Sequence, residues 1–157
     1  MRRTSFAQMN CSVARTLDVV GEWWTMLIIR EAFLGVRRFD DIQERLGIAR
    51  NVLSTRLQAL VDRGILERRR YQGRPERFEY RLTEKGLDLY PILVAMMRWG
   101  DRWTAGADGP PLTLVHQPCG HETAPTLSCS ECGATLHPRD VRARARDAAA
   151  EVAAPGS

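Results

Sequence analysis

A three-residue turn, Gly47-Ile48-Ala49, separates two segments of helical periodicity and constrains the fold more than any other feature of the chain. The segment before it, Phe39 to Leu46, and the segment after it, Arg50 to Arg63, both repeat apolar residues at the spacing of an amphipathic helix. The predicted inward positions are Phe39, Ile42, Leu46, Val52 or Leu53, Leu57, Leu60 and Val61. Two helices joined by so short a turn containing glycine form a helix-turn-helix.

An arginine-rich hairpin is predicted directly after the second of these helices. Gly64 ends the helix, and the pattern then changes to the alternation typical of strands at Ile65–Arg68 and Phe78–Leu82. Gly and Pro in the segment between them, Arg69–Arg77, indicate a loop. A β-hairpin in this position is a wing. The sequence therefore predicts a mainly α fold with a small β-wing, a winged helix-turn-helix of the α+β class.

Three further helices are predicted around this motif. The first spans Cys11–Val20, with Val13, Leu17 and Val20 on one face. The second spans Trp23–Leu34 and ends at Gly35, and its inward residues are Trp24, Leu27, Ile28 and Phe33. The third is a long helix from the N-cap Thr83 to about Trp103. The apolar residues of the long helix are too many for one face of a small domain: Leu89, Leu93, Met96, Met97, Trp99 and Trp103. This surplus predicts that the helix packs against a second copy of the chain.

The positive charge of the chain lies in the segment that holds the helix-turn-helix and the wing. Between Arg37 and Arg81 there are twelve arginines against seven Asp or Glu, whereas the segment from Pro111 to Ser157 holds four arginines and five acids. Charge alone allows an ordinary solvated face. A concentration of arginine on this motif favours a footprint on a polyanion such as the DNA backbone.

The predicted DNA contacts lie on the second helix of the motif, on the wing and just before the first helix. They are Arg38, Arg50, Asn51, Ser54, Thr55, Gln58 and, toward the flank, Arg56, together with the wing residues Arg69, Arg70 and Arg74. Arg suits guanine, Asn and Gln suit adenine, and Ser and Thr suit phosphate. Two alternatives remain open: Arg50 and Asn51 could cap their helix instead, and one wing arginine could pair with Glu76 or Glu79.

Several blocks of the chain, in order, resemble the HxlR-type transcriptional regulators. The blocks are Cys11 to Gly21, Trp24 to Glu31, Arg37 to Phe39, Val52 to Leu57, Gly64 to Leu66 and Glu79 to Gly86. The similarity covers some ninety residues, from about Cys11 to Trp103, within a domain placed at residues 1–104. It implies a repressor or activator that dimerises through its N-terminal and C-terminal helices and binds an inverted repeat in double-stranded DNA.

Cys11 is a candidate redox-sensing residue. Many proteins of the resembled family carry a cysteine at this place, and in some it senses oxidants or quinone-like electrophiles, which implies a small electrophile or ligand as effector. Arg15, one helical turn further on, could favour the reactive thiolate. The alternative is that Cys11 is a small buried apolar residue, since exposure decides reactivity.

The other three cysteines belong to a small module predicted at residues 112–138, after a Gly/Pro linker at 105–111 and before an Ala/Arg-rich, partly disordered tail at 139–157. His116-x-x-Cys119-Gly and Cys129-x-x-Cys132-Gly repeat one pattern, and one His with three Cys suits tetrahedral, structural zinc. His121 is an alternative to His116. A metal-free hairpin and a redox-active Cys-x-x-Cys also remain open. The prediction is a zinc-ribbon-like module.

Other classes of protein are disfavoured. No run approaches the roughly 18 apolar residues of a membrane span, and the basic start is not followed by the apolar core of a secretion signal. We therefore expect a cytoplasmic protein without membrane contact. Because no nucleophile–base spacing or open metal site is present, an enzyme is not expected. The remaining alternative is a winged-helix protein–protein interaction module with the zinc knuckle as docking surface, although the arginine-rich wing favours DNA.

Overall fold

The computed structural model describes residues 6, 8–107 and 109–144 of the 157-residue chain. Its contacts divide the chain into an N-terminal unit, residues 1–110, and a C-terminal unit, residues 111–157. The helices are α1 Ser12–Val20, α2 Trp23–Phe33, α3 Phe39–Leu46, α4 Arg50–Asp62, α5 Glu84–Leu87 and α6 Tyr90–Trp103, and the strands are β1 Leu66–Gly73, β2 Glu76–Leu82, β3 Leu114–His116 and β4 His121–Thr123. Among the described residues, none of these helices is both long and apolar enough to cross a membrane.

The first four helices form where the sequence predicts them. The bounds of α3 match the prediction at both ends, and those of α1, α2 and α4 differ from it by one residue. The turn between α3 and α4 depends on Gly47, whose φ of +62° lies in the left-handed region that glycine adopts without steric cost. The helix-turn-helix is therefore specified by local sequence.

The core of the N-terminal unit forms around α2. Ile28 and Ile29 are fully buried, and α3, α4, β1 and the short connections between them contribute further buried side chains, namely Ile42, Ile48, Leu53, Leu57, Leu60, Ile65 and Leu66. On α1 only one side is covered: Val20 is buried, as its spacing predicts, but Val13 and Leu17 are exposed. An apolar stripe on α1 is thus left exposed to solvent among the described residues.

The wing is longer than predicted, and the prediction of a loop over residues 69–77 is wrong. β1 and β2 pair antiparallel from Leu66↔Leu82 to Gly73↔Glu76, leaving only two residues at the tip, with a bulge between Arg70 and Gln72. Pairing extends this far because the arginines find neighbours across the hairpin, such as Phe78 beneath the Arg68 guanidinium at 4.0 Å. Cross-strand contacts of this kind stabilise a ladder that local composition does not favour.

The predicted long helix is divided into α5 and α6. Thr83 caps α5 as predicted, since its hydroxyl oxygen accepts a hydrogen bond from the backbone N–H of Gly86 at 3.1 Å. The break follows from Pro91, which has no N–H to continue the helical hydrogen bonds and so sits in the first turn of α6. Gly86 is also required sterically, because a Cβ there would lie 2.3 Å from the carbonyl oxygen of Ile65.

The C-terminal unit consists of two turns with short antiparallel pairing. β3 and β4 pair from Leu114↔Thr123 to His116↔His121, and a separate bridge joins Ser128 to Thr135. The Ala/Arg-rich tail is predicted at residues 139–157. Residues 140–144 are not helical, and the rest of that segment, 145–157, lies outside the described residues.

A buried carboxylate joins α2 to the helix-turn-helix. The side chain of Glu31 is only 1% exposed, and its two oxygens accept hydrogen bonds from Arg30 on α2 and Arg45 on α3. Burial acts to raise the pKa of Glu31, but the hydrogen bonds and charges of the two guanidinium groups outweigh it and lower the pKa below the ordinary 4.5. The ionised form is therefore the one that the fold stabilises.

We expect Glu31→Gln to lower the free energy of unfolding at pH 7 by about 2 kcal/mol, because charged hydrogen bonds to both arginines are lost. A lowered folded-state pKa means that the Glu31 contribution is complete above pH 4.5 and is lost as the pH falls through the folded value. Urea unfolding should therefore show that the difference in free energy of unfolding between wild type and variant becomes smaller at acid pH. Glu44→Gln, at an exposed position of α3, is the control, and a difference that is unchanged at low pH would contradict the assignment.

Candidate nucleic-acid interface

The N-terminal half of α4 presents a polar face to solvent. Five of the six predicted contact positions on this helix are exposed: Arg50, Asn51, Ser54, Thr55 and Gln58. The N-cap residue is Ala49, and no side chain caps the helix. The capping alternative for Arg50 and Asn51 is therefore not what the structure shows, and both side chains are left for other contacts.

Arg50 is held loosely against α3. Its guanidinium lies 4.7 Å from the centre of the Phe39 ring and 3.5 Å from Asp40, and both charged side chains are more than 70% exposed. An exposed ion pair of this length contributes little to stability. Arg50 is consequently positioned by stacking but remains available to an incoming anion or base.

The other polar residues of this face differ in how they are engaged. The Thr55 hydroxyl donates to the carbonyl of Asn51 at 2.9 Å, and the Gln58 amide donates to Asp62 at 2.7 Å. The side chains of Asn51 and Ser54 make no hydrogen bond to the part of the chain that the structure describes. The side-chain amide of Asn51, in the first turn of α4, therefore has its donor and its acceptor groups available.

Arg56, predicted to contact DNA from the flank of α4, is less exposed than the other predicted positions, and its contact with DNA stays a prediction. Its side chain is 27% exposed, its guanidinium lies 3.1 Å from the carboxylate of Glu22, and its Nε is buried without a hydrogen-bond partner among the described residues. The reason is helical geometry, because position 56 lies between the buried positions 53, 57 and 60. Arg56 therefore ties α4 to the start of α2.

The wing arginines are partly paired with carboxylates of the same hairpin. Arg70 lies 3.2 Å from Glu76, which is one of the pairings the sequence left open, and Arg69 lies 2.7 Å from Glu67. Arg74, at the tip, is exposed and has no acidic partner among residues 6–144 that the structure describes. Of the three wing arginines predicted to contact DNA, Arg74 at the tip is therefore unpaired among the described residues, and the other two form exposed ion pairs.

A groove joins the wing to the starts of α3 and α4. The Arg38 guanidinium lies 4.8 Å from the centre of the Tyr71 ring on β1, and the groove is also lined by Phe39, Arg50 and Arg77. Arg38 is one of the predicted contact residues, whereas Tyr71 and Arg77 are not among them. An aromatic residue among the arginines of the hairpin was the available signal, since guanidinium groups stack on such rings.

Cys11 is exposed, which the redox interpretation requires. It forms the N-cap of α1 through its backbone. Arg15 is predicted to favour the thiolate of Cys11. In the structure its guanidinium donates a hydrogen bond to the side chain of Asn10 at 2.8 Å. The apolar-core alternative for Cys11 does not fit this position, although its chemical role stays a prediction.

His116 and the three cysteines of the C-terminal unit lie in two pairs along the chain, His116 with Cys119 and Cys129 with Cys132. His116 Nδ1 lies 3.2 Å from the sulfur of Cys119, and the sulfur of Cys129 accepts hydrogen bonds from Cys132 and from backbone N–H groups. These N–H donors, of Cys132 first and then of Glu131, lower the pKa of the Cys129 thiol. Within the described residues, no three His, Cys, Asp or Glu side chains form a group that could hold a metal ion. Binding of zinc stays a prediction.

Comparison with known proteins agrees with the winged-helix architecture. The family model for the HxlR-like helix-turn-helix matches residues 19–108. The chain is 49% identical over 130 residues to the uncharacterised HTH-type transcriptional regulator Rv3095 of Mycobacterium tuberculosis, covering 83% of this chain and 82% of that protein. It is 31% identical over 95 residues to the uncharacterised HTH-type transcriptional regulator YdeP of Bacillus subtilis, covering 60% of this chain and 74% of that protein.

Solved structures extend the comparison. PA1607, a proposed transcription factor, is 39% identical and superposes with a TM-score of 0.81 over 92% of this chain and 100% of its own. The reduced form of the redox regulator HypR is 33% identical, with a TM-score of 0.56 over 59% of this chain and 92% of its own. The reduced form of the transcriptional regulator YodB from B. subtilis is 32% identical, with a TM-score of 0.52 over 61% of this chain and 96% of its own. The chain therefore belongs to the HxlR-like helix-turn-helix family, and it is a transcriptional regulator of the helix-turn-helix type.

Proposed function

We propose that the protein acts as a homodimer that binds an inverted-repeat operator, with α4 in the major groove and the wing on the flanking backbone. The observation that carries this proposal is the shared groove, in which Arg50 at the start of α4 and Arg77 on the wing line one surface. A recognition helix and a basic hairpin on one surface can contact one DNA duplex together. Carboxylates also line the groove, namely Asp40, Asp41 and Glu76, so it is the adjacency of α4 and the wing that favours a nucleic acid over a protein partner.

Within this proposal, α4 reads bases. The major groove admits one α-helix, and residues near its N-terminus reach base edges. Asn51 has an amide free to bond adenine through both of its groups, and Arg50 can bond guanine in the same bidentate manner. Thr55 and Gln58 already hold partners on their own helix, so their contribution requires those hydrogen bonds to be exchanged.

The wing supplies affinity rather than sequence preference. Arg69 and Arg70 are both about 60% exposed in pairs with neighbouring carboxylates. Such pairs are worth only about 0–1 kcal/mol, so phosphate groups can compete for the guanidinium groups. Arg74 at the tip needs no such exchange. Contacts of this kind release counterions and make binding depend on salt concentration.

An apolar seam on α6 supports the homodimer. Ile92, Met96, Trp99 and Trp103 are all exposed and follow one another at spacings of four, three and four residues. This spacing places them on one helix face and is the pattern of helices that pack along a shared seam. Exposed tryptophans in solvent are unfavourable, and the same side chains on a second copy would cover them.

The seam continues into a groove that α1 also lines. Val13 and Leu17 of α1 and Trp23 of α2 are exposed beside Ile92 and Met96, and the lining of this groove is predominantly apolar. Two copies related by a two-fold axis would bury α1 and α6 against their equivalents. A two-fold dimer carries two α4 helices in opposite orientations, which is the reason that we infer an inverted repeat as the operator.

Binding to DNA from the region flanking the gene tests the proposal. Fluorescence anisotropy with labelled duplexes should show one segment bound at least about 1,000-fold more tightly than random duplex at the same salt concentration. Equal affinity for every duplex would exclude an operator-specific regulator. Equal affinity together with capture of one defined protein would instead favour the interaction-module alternative, in which the winged helix docks on a protein.

A redox response is the second function that we infer, and the exposure of Cys11 at the start of α1 supports it. Because Cys11 begins a helix of the proposed dimer surface, an adduct or a disulfide there would disturb the dimer. We expect a quinone or diamide to lower operator affinity several-fold in the wild type and to leave Cys11→Ser unaffected. Anisotropy titrations before and after treatment measure this change. Equal loss in both proteins would assign the effect to the C-terminal cysteines instead.

A further inference from the structure

The C-terminal unit folds without a hydrophobic core among its described residues. From residue 111 to residue 144 no side chain is buried, and only Leu114, Pro125 and Cys129 are half-buried. Segments shorter than about 40 residues seldom hold a fold unless disulfides, a metal ion or association with another chain stabilises them. The ordered turns of this unit therefore need a source of stability other than apolar burial.

The two turns that carry the cysteines have matching backbone geometry. In the first, the carbonyl of His116 accepts hydrogen bonds from the N–H of Cys119 at 3.2 Å and of Gly120 at 2.8 Å. In the second, the carbonyl of Cys129 accepts from the N–H of Gly133 at 2.9 Å. The two glycines have φ of +71° and +73°, a conformation that residues with a Cβ rarely adopt. The sequence repeat is thus also a structural repeat.

Each turn brings its two donor side chains together. His116 Nδ1 and Cys119 Sγ are 3.2 Å apart, close to the roughly 3.5 Å between two ligands of one tetrahedral zinc ion. In the other turn, Cys129 and Cys132 stand at the same spacing, and the same left-handed glycine, Gly133, follows them. The first turn is therefore a preformed half of a metal site, and the second repeats its backbone geometry.

We propose that the C-terminal unit binds one zinc ion through His116, Cys119, Cys129 and Cys132. The two halves do not meet in the described structure, where no group of three potential ligands forms. Binding therefore requires the turns to close on the ion, so that metal binding and folding of this unit are coupled. Four protein ligands leave no open coordination position, which makes the role structural rather than catalytic.

A disulfide explains these residues less completely than zinc does. The unit holds three cysteines, so one disulfide would leave a thiol and His116 without a role, whereas a metal ion uses all four donors. His121 lies opposite His116 in the β3–β4 register and is the rival fourth ligand. His116 is favoured because it is the histidine in contact with the Cys119 sulfur.

Metal analysis of the full-length protein, purified under reducing conditions, tests the proposal. We expect about one zinc ion per chain in the wild type and in the matched controls Ser130→Ala and His137→Ala. Cys132→Ser and His116→Ala should each hold far less than one. Co²⁺ added to the metal-free protein should produce the charge-transfer and visible absorption bands of a tetrahedral thiolate site.

The wild-type measurements also decide the matter without reliance on variants that could misfold. Failure of the chelated, reduced wild type to take up either Zn²⁺ or Co²⁺ would overturn the proposal. A disulfide between two of Cys119, Cys129 and Cys132, found by peptide mass spectrometry of the chelated protein without reductant, would likewise overturn it. Loss of zinc in His121→Ala together with retention in His116→Ala would overturn the assignment of the fourth ligand.

Discussion

Trp99→Asp should convert the protein from a dimer to a monomer and weaken operator binding by roughly 100-fold or more. Trp99 is 63% exposed in the middle of the apolar seam of α6, so the substitution removes no contact that the N-terminal unit's own core depends on. In the dimer the new carboxylate would lie in a desolvated seam opposite its own symmetry-related copy. Burial of an unpaired charge costs several kcal/mol, enough to separate the subunits at ordinary concentrations.

The loss of DNA affinity follows because each subunit carries one α4 helix. Two linked half-site contacts bind far more tightly than one, although no individual contact changes. Sedimentation velocity gives the oligomeric state, and anisotropy with the same operator duplex gives the affinity. Ala105→Asp is the matched control, since it adds the same charge at an exposed position just beyond the end of α6 and outside the seam. A Trp99→Asp protein that stayed dimeric would refute the placement of the interface on α6.

Asn51→Ala and Arg74→Ala should weaken DNA binding in two distinguishable ways. Loss of the Asn51 amide should reduce affinity for the operator by about 1–3 kcal/mol, roughly 5- to 150-fold, and leave affinity for random duplex unchanged. Loss of the Arg74 guanidinium at the wing tip should reduce affinity for all duplexes and lower the salt dependence by about one counterion. Each variant therefore serves as the control for the other.

The measurement is a set of anisotropy titrations of operator and random duplex at several salt concentrations. Asn51→Ala should shift the operator curves alone and preserve their slope with salt. Both side chains are exposed and without partners in the described chain, so neither substitution should destabilise the fold. If Asn51→Ala weakened both duplexes equally, α4 would contact phosphates rather than bases, and the orientation proposed for it would be incorrect.

Much of the winged helix follows from the sequence because its signals are local. The bounds of α3 and the left-handed turn at Gly47 depend on apolar spacing and on one residue without a Cβ, and both are properties of neighbouring residues. The cap at Thr83 was predictable for the same reason. The exposed face of α4 was predictable from period alone, apart from Arg56.

The incorrect predictions share a physical cause. Each concerns residues whose conformation depends on partners elsewhere in the chain. Arg56 is held partly buried by Glu22, thirty-four residues earlier, and the wing extends over the predicted loop, where Arg68 and Arg70 contact side chains of the opposite strand. The division of the last helix was the exception. Pro91 is a local signal, and its missing N–H is enough to divide the predicted helix.

The helix-turn-helix and its wing, the feature from which the fold was predicted, were determined by the sequence itself, because turn chemistry and helical periodicity act between near neighbours. Only the tertiary structure decided which arginines face solvent, which carboxylate lies buried between Arg30 and Arg45, and that the apolar residues of α1 and α6 remain uncovered. Burial and pairing are relations between segments brought together by folding. A sequence pattern shows which residues could be buried or paired, and packing determines which of them are.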